Sequence, residues 1–190
     1  RASGARESAC VALGHLASHA PSRGAPPPPR GGPPPRPARA AGGVRGDDAR
    51  KKQLLERALA IEERDLGRDH ADLAITLMHL GQVYATTGEH DKRVVGLERA
   101  LAIEERTYGP AHQDLVASLN NCGVAYAEIG DHERALTLFS RALAIEERDD
   151  TVESSTLHNV GGAYFGLQDY EQASHVFDRA LELDMDRHGE

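Results

Sequence analysis

The sequence predicts an all-α chain of paired helices stacked in series, on three observations. The octapeptide Arg57-Ala58-Leu59-Ala60-Ile61-Glu62-Glu63-Arg64 returns unchanged at 99–106 and at 141–148, a step of 42 residues each time. Apolar residues recur at helical spacing around each copy. Glycines fall at matched places, inside one helix of each pair and in the turn after it. Identity at a fixed step marks a repeat architecture, in which each unit buries its apolar face against the next. A fourth, degenerate copy, Arg179-Ala180-Leu181-Glu182-Leu183-Asp184, follows the third after 38 residues, so four residues are missing there.

Composition divides the chain. Nine of its ten prolines lie between Pro21 and Pro37, and residues 1–46 carry seven arginines against the single acid Glu7, a net of +6. Residues 47–190 hold 15 Lys and Arg against 29 Asp and Glu, a net of −14. Residues 1–47 are expected to be a disordered Pro/Gly/Arg/Ala-rich leader, because proline removes backbone donors and the segment offers too little apolar surface to fold. Its proline runs at 26–29 and 33–37 also suit an aromatic groove on a partner. A transit-peptide role competes, although the prolines spoil the amphipathic helix it needs. Arginines without interleaved aromatics make no nucleic-acid platform, so no nucleic acid is expected as partner. No run of eighteen apolar residues occurs, so no membrane span is expected.

Cys10 and Cys122 are unclustered, which argues against a disulfide framework or a metal site. Cys122 reads as a buried thiol, and a reducing, cytoplasmic setting is expected. His15 and His19 stand four residues apart with no further ligands nearby, so no metal is expected there. The chain opens on Arg1 and stops at Gly189-Glu190, where earlier copies begin a new helix, so the array reads as truncated at both ends.

Residues 48–190 are expected to hold an orphan second helix over 48–67, then repeats over about 70–108, 112–149 and 152–188. Leu54, Ala58 and Ile61 mark the inward face of the orphan helix, and Gly67 caps it. The first helices of the pairs are expected at 71–86, 113–128 and 152–167. Leu73, Leu77, Leu80 and Tyr84 recur as Leu115, Leu119, Cys122 and Tyr126. The third helix keeps Leu157, Val160 and Tyr164 but has Glu153 in the first apolar place, so it should start late. Gly81, Gly123 and Gly161 each stand three residues before the tyrosine; a glycine inside a helix costs about 1 kcal/mol relative to alanine, so its recurrence implies close approach of the partner helix.

Gly88 and Gly130 should make the turns. The third copy has Gln168 in that place, and its turn is expected to differ, with Gly166 as the candidate. The second helices follow at 90–107, 132–149 and 170–187. They place Ala135, Phe139 and Ala142, then Ala173, Phe177 and Ala180, at i, i+4 and i+7, small residues flanking an aromatic that fills the gap. Arg93 and Leu97 break the pattern in the first pair, which should pack more loosely.

The order L-x2-[LCV]-G-x2-Y followed by A-x3-F-x2-A resembles the tetratricopeptide repeat. The 42-residue step, with A-L-A-I-E-E-R, Gly109-Pro110-Ala111-His112-Gln113-Asp114-Leu115 and Leu119-Asn120-Asn121, looks more specifically like the long-helix repeats of kinesin light chains. The resemblance covers about 47–190 and implies a right-handed α-solenoid of antiparallel helix pairs, with a concave groove lined by the first helices. On that implication the groove would show Met78, His79, Gln82, Asn120, Asn121, Val124, His158, Asn159 and Phe165, extended by Ile75, Ala117 and Ser155. Asn121 and Asn159, with His79 in register, offer amide and imidazole groups to an extended peptide backbone. The positions where copies disagree, Met78, Asn120 and His158, would choose the partner.

None of the three first helices contains Lys or Arg. A groove without cations does not suit acidic chaperone tails or the tryptophan-acidic cargo peptides of kinesin light chains, which need positive charge for their carboxylates. A neutral or basic protein or peptide partner is expected. The pairs Glu62-Glu63, Glu104-Glu105 and Glu146-Glu147 read as a solvated acidic face supported by arginines. His70 and His112, each two residues before an aspartate, read as capping or turn residues. No HExxH, phosphate loop, GxSxG or glycine-rich dinucleotide turn occurs, so no cofactor, no metal and no catalytic residue is expected. The leading expectation is a non-catalytic protein–protein interaction scaffold, a kinesin light chain-like cargo adaptor among the options. The alternative is a regulatory or sensor array of a larger signalling enzyme such as a nucleotide-binding ATPase. Self-association through uncapped repeat ends is a third.

Overall fold

The computed structural model describes residues 41–189 and shows seven helices in series: α1 (Ala41–Leu66), α2 (Asp72–Thr87), α3 (His90–Tyr108), α4 (Leu115–Glu128), α5 (His132–Asp149), α6 (Ser154–Gly166) and α7 (Tyr170–His188). Among the described residues there is no strand. Each helix packs on the next, and α4 also meets α6. The result is an all-α solenoid of the pairs α2–α3, α4–α5 and α6–α7, entered through α1. The leader's residues 1–40, with Cys10, His15 and His19, lie outside the described residues. Helix α1 begins at Ala41, ahead of the helical spacing that sets in at Asp47; the last proline before it is Pro37, so no missing backbone donor interrupts the helix.

The three turns inside the pairs are built alike. Gly88 and Gly130 take left-handed φ angles of 75° and 85°. The backbone N–H groups of Glu89 and Asp131 then reach back to the carbonyls of Tyr84 and Tyr126 at 2.9 and 3.0 Å. The third turn does not differ as expected: Gln168 itself adopts φ 64°, and Asp169 N–H reaches the Tyr164 carbonyl at 3.0 Å. The backbone bond to the tyrosine carbonyl fixes the turn whatever side chain occupies the left-handed position. Gly166 serves packing instead, because a Cβ there would collide with the His132 ring. Asp131 and Asp169 cap α5 and α7 by accepting from the N–H groups of Arg134 and Gln172 at 3.1 and 3.2 Å.

The core lies between the even and odd helices. Leu73, Leu77 and Leu80 on α2, Leu115, Leu119 and Cys122 on α4, and Leu157 and Val160 on α6 are buried, as are Ala100, Ile103, Ala142, Ile145 and Ala180 opposite them. Ala135, Phe139 and Ala173 are buried too, whereas Phe177 is half-buried on the last helix. Gly81, Gly123 and Gly161 face Leu97, Phe139 and Phe177 respectively. An added Cβ would come within 2.7 Å of Leu97 and 2.6 Å of Phe177, and closer still to Phe139. Tyr84 and Tyr126 are buried and Tyr164 is half-buried. Burial pushes the Tyr84 phenol up to about 12, assisted by the Glu56 carboxylate that accepts its hydroxyl at 3.1 Å.

Two expectations about packing are corrected. Leu54 and Ile61, expected to face inward, are 57% and 50% exposed. The equivalent Ile103 is buried against Leu73 of its own first helix, and α1 has no such helix among the described residues. Instead α1 seals α2 through Leu59. Arg93 does not loosen the first pair: it is buried and forms an ion pair with Glu128 at the end of α4. The guanidinium holds the Glu128 carboxyl below its ordinary value.

The repeated octapeptide fastens one repeat to the next. Its second glutamate pairs with the first arginine of the following copy, as Glu63–Arg99, Glu105–Arg141 and Glu147–Arg179. Its first glutamate turns inward, so the solvated acidic face expected of these pairs holds for neither member in full. Glu62 accepts from the Thr76 hydroxyl at 3.1 Å. Glu146, only 1% exposed, accepts from the Thr156 hydroxyl at 2.9 Å and from the Glu153 N–H at 3.2 Å. Burial raises the carboxyls of Glu104 and Glu146, while hydrogen bonds from Ser118 and from Glu153 N–H and Thr156 respectively oppose the rise.

Candidate peptide-binding face

The even helices bury one side against the odd helices and leave the other open. On that side Ile75, His79 and Gln82 of α2 are exposed, as are Ala117 of α4 and Ser155, His158 and Phe165 of α6; Met78, Asn120, Asn121, Val124 and Asn159 are half-buried. Polar groups there divide into two sets. One set ties helix to helix. The Ser118 hydroxyl lies 3.4 Å from Met78 Sδ, Asn120 Nδ2 donates to Thr156 Oγ1 at 2.9 Å, and Asn159 Nδ2 donates to Asn120 Oδ1 at 3.4 Å. His158 Nδ1 lies 2.8 Å from the Ser154 carbonyl, which can only accept, so that nitrogen carries the proton. The other set is uncommitted: His79, Gln82 and Asn121 make no side-chain hydrogen bond among the described residues.

The varied row Met78, Asn120 and His158 is thus largely engaged by its own neighbours, whereas the adjacent row offers free donors and acceptors. Sequence reasoning missed the partners that occupy Asn120. Their signal was present: hydroxyls recur as Thr76, Ser118 and Thr156, each fourteen or ten residues after an inward glutamate.

Val124, His158 and Asn159 come together around a cleft of about 340 Å³ floored by Phe139 and Ala163, with Glu128 and His132 at its edge. Phe165 is not in that cleft; it meets Tyr170 edge-on, ring centroids 5.3 Å apart, both exposed. The even helices carry no Lys or Arg. Arg93, which reaches the end of α4, is engaged by Glu128.

His70 and His112 act in turns, each ring nitrogen accepting at 3.3 Å from the N–H two residues on. Among the described residues no group of three His, Cys, Asp or Glu is placed to hold a metal, and no helix is long and apolar enough to cross a membrane. Burial pushes the Cys122 thiol up to about 12, so it is not an ionised nucleophile.

Serial helix pairs with an open polar face define a repeat scaffold of the kind that mediates protein–protein interaction. Three models of the tetratricopeptide repeat match residues 73–114, 96–148 and 154–186, and the chain belongs to that family. Among curated proteins none matches it. Solved structures with the same fold include BtubC (BKLC) from P. vanneervenii, at 23% identity and a TM-score of 0.70 over 76% of this chain and 59% of that one. They also include the kinesin light chain nearly identical TPR-like repeats from Podosopora anserina, at 22% identity and a TM-score of 0.66 over 75% of this chain and 70% of that one. A third is the TPR domain of Arabidopsis FLU, at 18% identity and a TM-score of 0.53 over 58% of this chain and 93% of that one. The chain therefore spans about 59% of the length of BtubC.

Proposed function

We propose that the protein is a non-catalytic scaffold whose α2–α4–α6 face holds an extended, neutral or basic segment of a partner protein. One observation carries this reading: the face combines uncommitted hydrogen-bonding side chains, His79, Gln82 and Asn121, with a complete lack of Lys and Arg on its helices. Uncommitted amides pair with a peptide backbone in either polarity, and a face without cations gives a partner's carboxylates nothing to pair with. Asn159 contributes its free carbonyl oxygen, since its amide nitrogen is turned to Asn120. Phe165 and Tyr170 supply an apolar contact at the end of the array. Cargo binding of the kinesin light chain kind is one form this activity would take, with ligands other than acidic ones. A buried thiol at Cys122 fits a reducing compartment, and we assign the protein to the cytoplasm.

Selection of short random peptides against the full chain tests the reading. Enriched peptides should be neutral to basic, and Gln82→Ala with Asn121→Ala should weaken them about tenfold, the worth of two modest hydrogen bonds, without moving the melting temperature. Acidic enriched peptides, or affinities untouched by the double substitution, would overturn it.

A further inference from the structure

The two outermost described helices carry open faces of opposite charge. On α1, Arg50, Leu54, Arg57 and Ile61 follow one another at helical spacing, and all are exposed. Arg50, Arg57 and the neighbouring Lys51 have no ion pair among the described residues. The acids beside them are turned elsewhere. Glu56 and Glu62 accept from the hydroxyls of Tyr84 and Thr76, Glu63 pairs with Arg99, and Asp65 is held by Arg64 at 2.7 Å. Asp47 and Asp48, a turn before Arg50, leave the three cations in excess.

Helix α7 departs from the repeat in the opposite sense. By the 38-residue step its Asp178, Glu182 and Asp186 stand where α5 has Ser140, Ala144 and Arg148, and Met185 stands in place of Glu147. Glu147 is the residue that fastens the following copy through Arg179, so α7 lacks the carboxylate by which one more repeat of the same kind would be held. Leu181 and Met185, 58% and 49% exposed, lie among the three acids instead. None of the three is ion-paired among the described residues. The arginines of α7 do not cancel them, because Arg179 and Arg187 are already paired with Glu147 and Glu153 at 2.7 and 2.8 Å.

The inner repeats show what such faces require. Leu101, the counterpart of Leu181, is covered by Leu115 and Leu119 of α4, and Ile103, the counterpart of Ile61, by Leu73 of α2. Each open face thus lacks an apolar cover, and each is rimmed by the charge that the other would attract.

We infer that α1 of one copy docks on α7 of a second copy, with Leu54 and Ile61 against Leu181 and Met185, and Arg50 and Arg57 meeting Asp178 and Glu182. Pairing α7 with α7, or α1 with α1, brings like charges together, so the contact runs head to tail. Two different surfaces meet in it, so each copy keeps one face free and further copies add in series. The contact is separate from the α2–α4–α6 face and does not depend on that face's assignment.

Sedimentation velocity on the full chain tests this with two charge reversals at exposed positions, Arg50→Glu with Arg57→Glu, and Asp178→Arg with Glu182→Arg. The unaltered chain should form larger species as its concentration rises. That association should weaken at least about threefold at ~1 M salt, where the screening length falls to about 3 Å. Each double variant alone should associate at least about tenfold more weakly, because like charges then face each other. An equimolar mixture of the two should recover association, which also certifies that both variants fold. Wild-type association by either variant alone would reveal pairing of like ends and overturn the inference. A single species of the unaltered chain at all concentrations, association indifferent to salt, or a mixture no more associated than its components would overturn it equally.

Discussion

Gly123 and Gly96 are both helix-interior glycines, and their surroundings are opposite. Replacing either with alanine gains about 1 kcal/mol of helix propensity. At Gly123 the new methyl meets the Phe139 ring, and overpacking of this kind costs about 1–3 kcal/mol. Urea denaturation should therefore show Gly123→Ala losing up to about 2 kcal/mol overall and Gly96→Ala, whose methyl meets nothing within 4 Å, gaining about 1 kcal/mol. Equal shifts in the same direction would refute the packing account. Gln168 gives a third case: a left-handed φ strains any residue but glycine, so Gln168→Gly should raise the unfolding free energy by about 1 kcal/mol. The role of Gly123 was legible from recurrence, because a costly residue at a fixed step needs a packing cause. The meaning of Gly96 was not, since it departs from the repeat and only the open space beside it gives it a sense.

The octapeptide helix looks uniform along the sequence, yet its two glutamates have different work. Glu146→Ala strands the Thr156 hydroxyl and the Glu153 N–H in a buried place, and should cost about 2–3 kcal/mol. Glu147→Ala removes only the half-exposed pair with Arg179, worth under about 1 kcal/mol. Titration separates them further. Glu104 and Glu146 are raised by burial, so their folded forms hold a proton more tightly than the unfolded chain does, and stability rises as pH falls through their folded values. Glu128, Glu153 and Glu89 are lowered by Arg93, by Arg187 and by Lys52 with Lys92, Glu89 to about 2. Their contribution is present above the ordinary carboxylate range and is lost as pH falls through their folded values. Stability should therefore peak in the mildly acidic range, and Glu104→Gln with Glu146→Gln should flatten the rise between neutral pH and that peak. A profile that climbs steadily to pH 8 would contradict the assignment.

Periodicity revealed that these acids were structural but not which way each pointed, because a helix repeating Glu-Glu places the two about 100° apart and only the neighbouring hydroxyls decide which is inward. The same limit explains Arg93: read against alanine at the equivalent places it suggests loose packing, and its partner Glu128 lies 35 residues away on another helix.

For the whole molecule, the all-α repeat architecture was legible because identical segments impose identical packing, and a role for the even-helix face was legible only through the resemblance to the tetratricopeptide repeat. Which polar residues on that face stay free was not, since the Asn120 bonds join separate repeats. The outermost described helices expose apolar residues whose counterparts in an inner repeat are covered: Ile61 on α1, where Ile103 is buried, and Leu181 on α7, where Leu101 is buried. We propose that they drive self-association. Sedimentation velocity should show a larger species growing with concentration, diminished by Leu181→Glu with Met185→Glu; a single species at all concentrations would exclude it.

The central claim is that partners are held on the α2–α4–α6 face. It is tested most directly by placing a photo-crosslinking amino acid at His79, at Asn121 and, as a control on the odd layer, at Ala144, each in complex with a selected neutral or basic peptide. Crosslinks from positions 79 and 121 with none from 144 are predicted. Crosslinks from 144 alone would contradict the account.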